Sequence, residues 1–174
     1  MSLSMYKASV PAFLQTLKAM SGVLQKADAY VRTRRIEPRV LLESRLFPDM
    51  FPLVRQVQLA SDFAKGAAAR LAGVDVPVYE DTEQSFAELA ARIERTTNFL
   101  KTFRPEQIDG SEARDVVIRI AGNPVTLKGE PYLVHFALPN FYFHSTTAYA
   151  ILRHAGLELG KIDFIGEVPG LVRR

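Results

Sequence analysis

The chain has 174 residues, a formal net charge of +3, 48% hydrophobic residues and 24% charged residues. This length and balance are typical of one soluble globular domain, which we expect to span residues 1–174. The sequence contains no cysteine, which excludes disulfides, thiolate catalysis and thiolate metal ligands. No apolar run approaches the roughly 20 residues of a membrane span, and no signal-peptide pattern opens the chain, so a cytoplasmic protein without a membrane partner is predicted.

Basic residues are concentrated at one place, formed by Arg32, Arg34, Arg35 and Arg39. No aromatic platform or nucleic-acid motif accompanies them, so this run is typical of a solvated helix end and no nucleic-acid partner is expected. The signatures of nucleotide binding, serine hydrolysis and zinc proteolysis (P-loop, G-x-G-x-x-G, G-x-S-x-G and H-E-x-x-H) are also absent.

Two long helices are predicted in the first half of the chain. Apolar residues recur at alternating spacings of four and three from Tyr6 to Val31, which predicts a helix that ends near Arg34. Pro11 fits in the first turn if this helix begins near Ser9, and otherwise a kink is expected there. A second helix is predicted from Pro48 to Gly73, with Gly73 as the residue that terminates it.

A third helix and a hairpin follow. Asp81 and Gln84 resemble a capping box that opens the third helix, and Pro105 is expected to stop it. The spacing of apolar residues then changes to that of strands at residues 116–120 and 125–127. These two runs flank a cluster of turn residues, which predicts a short β-hairpin.

A fourth helix is predicted from Pro131 to Gly156, with a bend caused by Pro139, which lacks a backbone donor. Four long helices with short connectors favour an all-α four-helix bundle, with the small β-hairpin between the third and fourth helices. The fourth helix carries more aromatic residues than one core stripe needs. This surplus favours a homodimer, because exposed aromatic patches usually mark interfaces.

All three histidines lie in the fourth helical segment. His144 has Asn140 four residues before it, so both lie on one helical face. His135 and His154 fall on other faces. One interpretation of His144 is a buried histidine that is hydrogen-bonded within the core, and the other is a metal ligand or general base, because imidazole binds divalent metals and titrates near neutral pH.

Three stretches carry a resemblance to a known family, namely RLFPDMFPLVRQVQLASDFAKGAAARLAG, LPNFYFHSTTAYAILRHAG and LGKIDFIG. With them the chain resembles the DinB/YfiT-like superfamily of four-helix bundles, and more narrowly a branch of that superfamily whose function is unknown. The resemblance implies a divalent metal, often nickel or zinc, held by one histidine of the second helix and two of the last. It also implies the activity of metal-dependent members, which include thiol-cofactor transferases and isomerases.

Aligning the last helix with that pattern places His144 and Asn140 on two ligand positions and puts the third near Gln58. Two of the three expected imidazoles are therefore amides, which are poor ligands for nickel or zinc. Asp62, one turn after Gln58, could supply a carboxylate, so His144 is the best metal candidate and Asp62 the second. No cofactor is expected, although a divalent metal such as nickel or zinc stays open.

Three functions follow from these residues, and the sequence leaves open whether the protein is an enzyme. The first is a bundle with a degenerate metal site that binds a small ligand or a partner in a cleft formed by Gln58, Asp62, Asn140 and His144. The second is a metal-dependent hydrolase or thiol transferase that uses His144. The third is a structural or interaction protein in which the same polar groups form a satisfied buried network.

Overall fold

The structure is a computed structural model, and it describes residues 3–172. Four long helical segments form a bundle, and a two-stranded sheet follows the third of them. In chain order the elements are α1 (Met5–Arg34), α2 (Pro38–Leu42), α3 (Leu53–Ala72), α4 (Phe86–Leu100), α5 (Pro105–Ile108), β1 (Asp115–Ile120), β2 (Asn123–Lys128), α6 (Gly129–Tyr132), a π-helical turn (Leu133–Ala137), α7 (Leu138–His154) and α8 (Lys161–Ile165). The predicted helical bundle with a small hairpin is confirmed.

Helix α1 follows the predicted apolar seam closely. Every seam residue from Val10 to Val31 is buried, and the helix ends at Arg34, where Arg35 adopts a left-handed conformation. The helix begins at Met5, however, so Pro11 lies inside it and not in its first turn. Because the helix begins one turn earlier than Ser9, the interpretation of Pro11 as a first-turn proline was wrong.

Helix α3 begins later than predicted. It starts at Leu53, after Pro52 in an extended conformation, and not at Pro48. A residue that precedes proline is disfavoured in the α conformation, so Phe47 before Pro48 and Phe51 before Pro52 interrupt any earlier helix. The predicted end is confirmed, because Gly73 caps the helix with φ of +71°.

The start of α4 also differs from the prediction. Ser85 is the N-cap, and its side chain accepts a hydrogen bond from the backbone N–H of Glu88. The carboxylate of Glu88 in turn accepts from the backbone N–H of Gln84 at 2.5 Å. The capping interaction therefore lies four residues after Asp81, whose carboxylate binds arginine side chains instead.

The β-hairpin forms at the residues where the sequence pattern predicts two strands. Strands β1 and β2 pair antiparallel with Ile120 opposite Asn123, so Ala121 and Gly122 alone make the turn. Both residues have positive φ, 49° and 83°, as a type I′ turn requires. Pro124 lies in β2, which has no second neighbouring strand in the described sheet, and an edge position tolerates the missing donor.

The fourth helical segment runs without a break from Gly129 to His154. The irregularity predicted at Pro139 takes the form of the π-helical turn just before it, where Leu138 donates its backbone hydrogen bond to Leu133. Proline lacks the N–H donor that the α-helical pattern requires, and single π-helical turns occur inside α-helices as local bulges.

Helices α3 and α7 form the most extensive helix–helix contact of the bundle. The facing surface of α3 is narrow because its fully buried residues include Ala60, Ala64, Ala67 and Ala68. Small side chains let helix axes approach closely, so polar groups on α3 and α7 come within hydrogen-bonding distance. None of the helices in the described part of the chain is long and apolar enough to cross a membrane.

Candidate functional site

His144 forms a hydrogen bond between the two helices. Its side chain is 7% exposed, and its Nδ1 lies 2.7 Å from Oε1 of Gln56 on α3. The Nε2 of Gln56 donates to the backbone carbonyl of Phe51 at 3.0 Å, which leaves the amide oxygen to face the imidazole. Since an amide oxygen can only accept, Nδ1 carries the proton and Nε2 holds the lone pair.

The surroundings of His144 keep it uncharged. The ring of Phe63 stacks on the imidazole with centroids 5.6 Å apart, and Phe143 contacts it edge-on at 5.2 Å. Burial, and secondarily the positive charge of Arg55, lowers the pKa of His144 to about 4. The imidazole is therefore neutral at pH 7, and it can accept a proton only in acid.

The side chain of Asn140 forms a hydrogen bond within its own helical segment. Its Nδ2 donates to the carbonyl of Phe136 at 2.7 Å. Phe136 lies in the π-helical turn, where the usual backbone pairing is interrupted. The amide thus satisfies a carbonyl at the defect, which is a structural role on the same face as His144.

The side chains of Gln58 and Asp62 bind charged residues away from His144. The Nε2 of Gln58 donates to Oε2 of Glu83 at 2.8 Å. The Oδ1 of Asp62 accepts from Lys65 at 3.0 Å and from Arg92 at 2.9 Å. Both side chains belong to an ionic network, which we call the Arg92 network, between α3, α4 and the linker that precedes α4.

Arg92 is the centre of this network and is buried, with 2% of its side chain exposed. Its two terminal nitrogens reach Glu83 at 2.9 Å and Asp81 at 3.1 Å in addition to Asp62. Burial by itself would lower the pKa of Arg92, but the hydrogen bond to Glu83 and the three carboxylate charges raise it. Burial by itself would raise the pKa of Glu83, but the hydrogen bonds that it accepts from Arg92 and Gln58, together with the positive charge of Arg92, lower it.

The four predicted site residues therefore do not form one polar cluster. Among residues 3–172, no hydrogen bond joins Gln58 or Asp62 to Asn140 or His144. The residue that pairs with His144 is Gln56, which the sequence analysis missed. A signal for it existed in the helical repeat, because Gln56 lies three residues after Leu53 and four before Ala60, which places it on the apolar face of this helix.

These donors do not fit a nickel or zinc ion. Within the described residues, no group of three or more histidine, cysteine, aspartate or glutamate side chains could hold a metal. His144 offers one imidazole nitrogen, whereas the carboxylate of Asp62 already neutralises two cations. The neighbouring amides of Gln56 and Asn140 are hydrogen-bonded within the protein, and amide oxygens are weak ligands for such metals.

A cleft of about 530 Å³ opens between α3, the hairpin and the fourth helical segment. We call it the α3–hairpin cleft, and the side chains that matter most for its chemistry are Asp62, Phe63, Arg70, Arg119, Tyr132 and Phe136. Its aromatic wall is continuous, since Phe136 lies 6.0 Å from Tyr132 and 5.9 Å from Phe63 between ring centroids. Through Phe63, this wall also reaches His144.

Comparison with known proteins places this architecture in a family. Residues 5–165 match the family model described as a domain of unknown function, DUF1993. The crystal structure of a DinB family member from Shewanella denitrificans superimposes with a TM-score of 0.86 at 38% sequence identity, over 97% of this chain and 95% of that one. A search of curated proteins found no match. The chain therefore belongs to the DUF1993 family and is a DinB-like helical bundle protein.

Proposed function

We propose that the protein binds a small organic ligand in the α3–hairpin cleft and does so without a metal ion. The observation that carries this proposal is the cleft itself. Its volume of about 530 Å³ lies within the roughly 300–1,000 Å³ of small-molecule sites, and an aromatic wall with few polar groups is the usual composition of such sites.

The donor chemistry supports the metal-free form of this proposal. One imidazole, bonded to an amide, stands where the superfamily pattern expects several imidazoles. The second candidate ligand, Asp62, is held by Lys65 and Arg92. A metal-dependent hydrolase or thiol transferase would need to break these contacts before it could assemble a ligand set. Untagged protein is therefore expected to contain far less than one nickel, zinc or iron per chain by elemental analysis.

A metabolite screen by thermal shift, in buffer with EDTA, tests ligand binding. Val117 lines the cleft and is 60% exposed, so Val117→Trp should obstruct the cleft without disturbing the core. Val78 is 85% exposed and does not line the cleft, so Val78→Trp is the matched control. We expect a compound that raises the melting temperature of wild type and Val78→Trp but not of Val117→Trp.

Two outcomes contradict the proposal. A stoichiometric metal that survives dialysis, and whose removal by His144→Ala abolishes a hydrolase or transferase activity, would favour the metal-dependent alternative. A broad screen with no compound that shifts the melting temperature would favour a purely structural or interaction protein.

A homodimer is a second part of the proposal. Exposed aromatic side chains support it, because Phe47 is 63% exposed and Phe51 and Phe143 are each 55% exposed. A contiguous exposed apolar patch commonly marks an interface with a partner.

A further inference from the structure

We propose that the ligand of the α3–hairpin cleft is a flat, apolar acid whose anionic group binds Arg70 and Arg119. This inference rests on the proposed function and adds the chemical class of the ligand. It predicts that the same ring system without its negative charge binds much more weakly.

The charges that line the cleft favour an anion. Arg70 and Arg119 both line it, and within residues 3–172 neither lies within 4 Å of a carboxylate. The one carboxylate of the lining, Asp62, already accepts from Lys65 and Arg92. Two arginines thus line the cleft without a carboxylate partner, and a guanidinium is well suited to bidentate binding of carboxylate or phosphate.

The partners of these arginines are neutral. Arg70 Nη1 donates to the hydroxyl of Tyr132 at 3.3 Å, and Arg119 Nη1 donates to the carbonyl of Gly122 at 3.1 Å. Burial raises the pKa of Tyr132, so its hydroxyl stays protonated and does not cancel the charge of Arg70. Each of these contacts uses one of the five N–H donors of a guanidinium and leaves others for a ligand.

Gly66 sets the position of Arg70. A Cβ built at Gly66 would overlap Nη1 of Arg70 and lie 3.6 Å from its Cζ. The guanidinium therefore folds back over the glycine, one turn along α3 toward Tyr132. A glycine inside a helix is less favourable than alanine, and a Cβ at this position would displace the guanidinium of Arg70.

The apolar part of the ligand would lie against the aromatic wall. Phe63 and Phe136 are partly exposed and in ring contact, and the buried Tyr132 stacks on Phe136, so the three rings form a connected set. Flat ring systems gain area and favourable ring geometry on such a surface. A ligand that combines a flat body with an acidic group would satisfy both the wall and the arginines.

The experiment uses 2-naphthoate as the anionic probe and 2-naphthylmethanol as its neutral analogue, with affinities measured by titration calorimetry at low salt. Wild type should bind naphthoate at least tenfold more tightly than the alcohol. Arg70→Gln and Arg119→Gln should each weaken naphthoate binding about tenfold, which is typical of the loss of one charge-assisted hydrogen bond. Arg39→Gln, on the exposed helix α2 outside the cleft lining, should leave the affinity unchanged.

A glycine pair separates ligand binding from folding. Gly66→Ala should displace the guanidinium of Arg70 and weaken naphthoate binding, while the melting temperature stays the same or rises. Gly22→Ala, where a Cβ meets nothing within 4 Å, should raise the melting temperature without changing the affinity.

The outcomes separate this inference from the proposed function. Equal binding of the two probes, or naphthoate binding that is insensitive to Arg70→Gln and Gly66→Ala, overturns the acid-binding inference and leaves cleft binding intact. Naphthoate binding that survives Val117→Trp takes place elsewhere and also overturns the inference. If neither probe binds wild type and the metabolite screen finds nothing, the proposed function fails together with it.

Discussion

His144 and Arg92 are both buried, yet their neighbours hold them in opposite charge states. The partner of His144 is the neutral amide of Gln56, and the positive charge of Arg55 adds to the effect of burial in lowering its pKa. Arg92 is surrounded by carboxylates, including Glu83. Burial disfavours charge at both positions, and only the carboxylates around Arg92 overcome that cost.

The pH dependence of stability should reveal the neutral histidine. The pKa of His144 is about 4 in the folded protein and 6.5 ordinarily. Between these pH values, His144 is protonated in the unfolded chain but neutral in the folded protein. The free energy of unfolding should therefore fall as the pH drops from about 6.5 toward 4, by up to roughly 3 kcal/mol from this residue.

The comparison is with His144→Gln, which keeps an amide donor for Gln56 but cannot take up a proton. Urea unfolding at several pH values between 7 and 4.5 should show a smaller loss of stability for this variant than for wild type. Parallel pH curves for the two proteins would mean that His144 titrates normally in the folded state.

At the scale of elements, helix α3 presents polar groups on two sides. One side carries Gln56 and faces α7, where the hydrogen bond to His144 forms. The other carries Gln58 and Asp62, which join the Arg92 network with α4. Asp81 and Glu83 belong to the extended linker before α4, so the network fastens this linker, which has no helix or strand of its own, to the bundle.

Removal of the central cation should test how much the network contributes. Arg92→Gln leaves the carboxylates of Asp62, Asp81 and Glu83 close together without their shared partner. Asp62 keeps Lys65 and Asp81 keeps Arg55, so the cost should lie below the roughly 3–5 kcal/mol of a fully uncompensated buried charge and nearer to about 1–3 kcal/mol. Urea unfolding should report a loss of that order, and Arg39→Gln, which breaks an exposed pair with Glu43, should change little. Similar midpoints for both variants would contradict a stabilising role of the network.

At the scale of the whole molecule, the hairpin adds a cleft to the side of the helical bundle. Four helical segments alone would bury their apolar faces against one another. Residues of β1 and β2 instead line the α3–hairpin cleft together with residues of α3. The π-helical turn contributes Phe136 to the aromatic wall of the same cleft. The cleft therefore forms only when α3 packs against the hairpin and the π-helical turn, two neighbouring elements that lie far from α3 in the sequence.

The proposed homodimer is tested at this scale. Light scattering coupled to size-exclusion chromatography should give twice the chain mass of 19.4 kDa. Phe143→Ser, at an exposed aromatic on α7, should shift the population toward monomer, whereas Val78→Ser on the linker should not. A wild-type monomer at high micromolar concentration would exclude the homodimer.

The sequence by itself determined the fold, because the information involved is local. The spacing of apolar residues specified which face of α1 is buried, since that spacing follows from the helical repeat. Gly73 marked a helix end and Ala121–Gly122 lay at the hairpin turn, because few residues adopt positive φ. The DinB-like resemblance was confirmed for the same reason, since it rested on contiguous segments.

Only the tertiary structure decided which polar groups meet. Successive residues of a helix turn by about 100°, so Gln56 and Gln58 point to nearly opposite sides of α3 although they are two residues apart. The sequence alignment placed the residue near His144 at Gln58, and this small register error assigned the wrong face. Likewise, Asp81 matched a helix cap in sequence, but Arg92 on the folded α4 attracts its carboxylate. Hydrogen bonds and ion pairs depend on distances of about 3 Å between separate helices, and such distances are fixed only when the helices have packed.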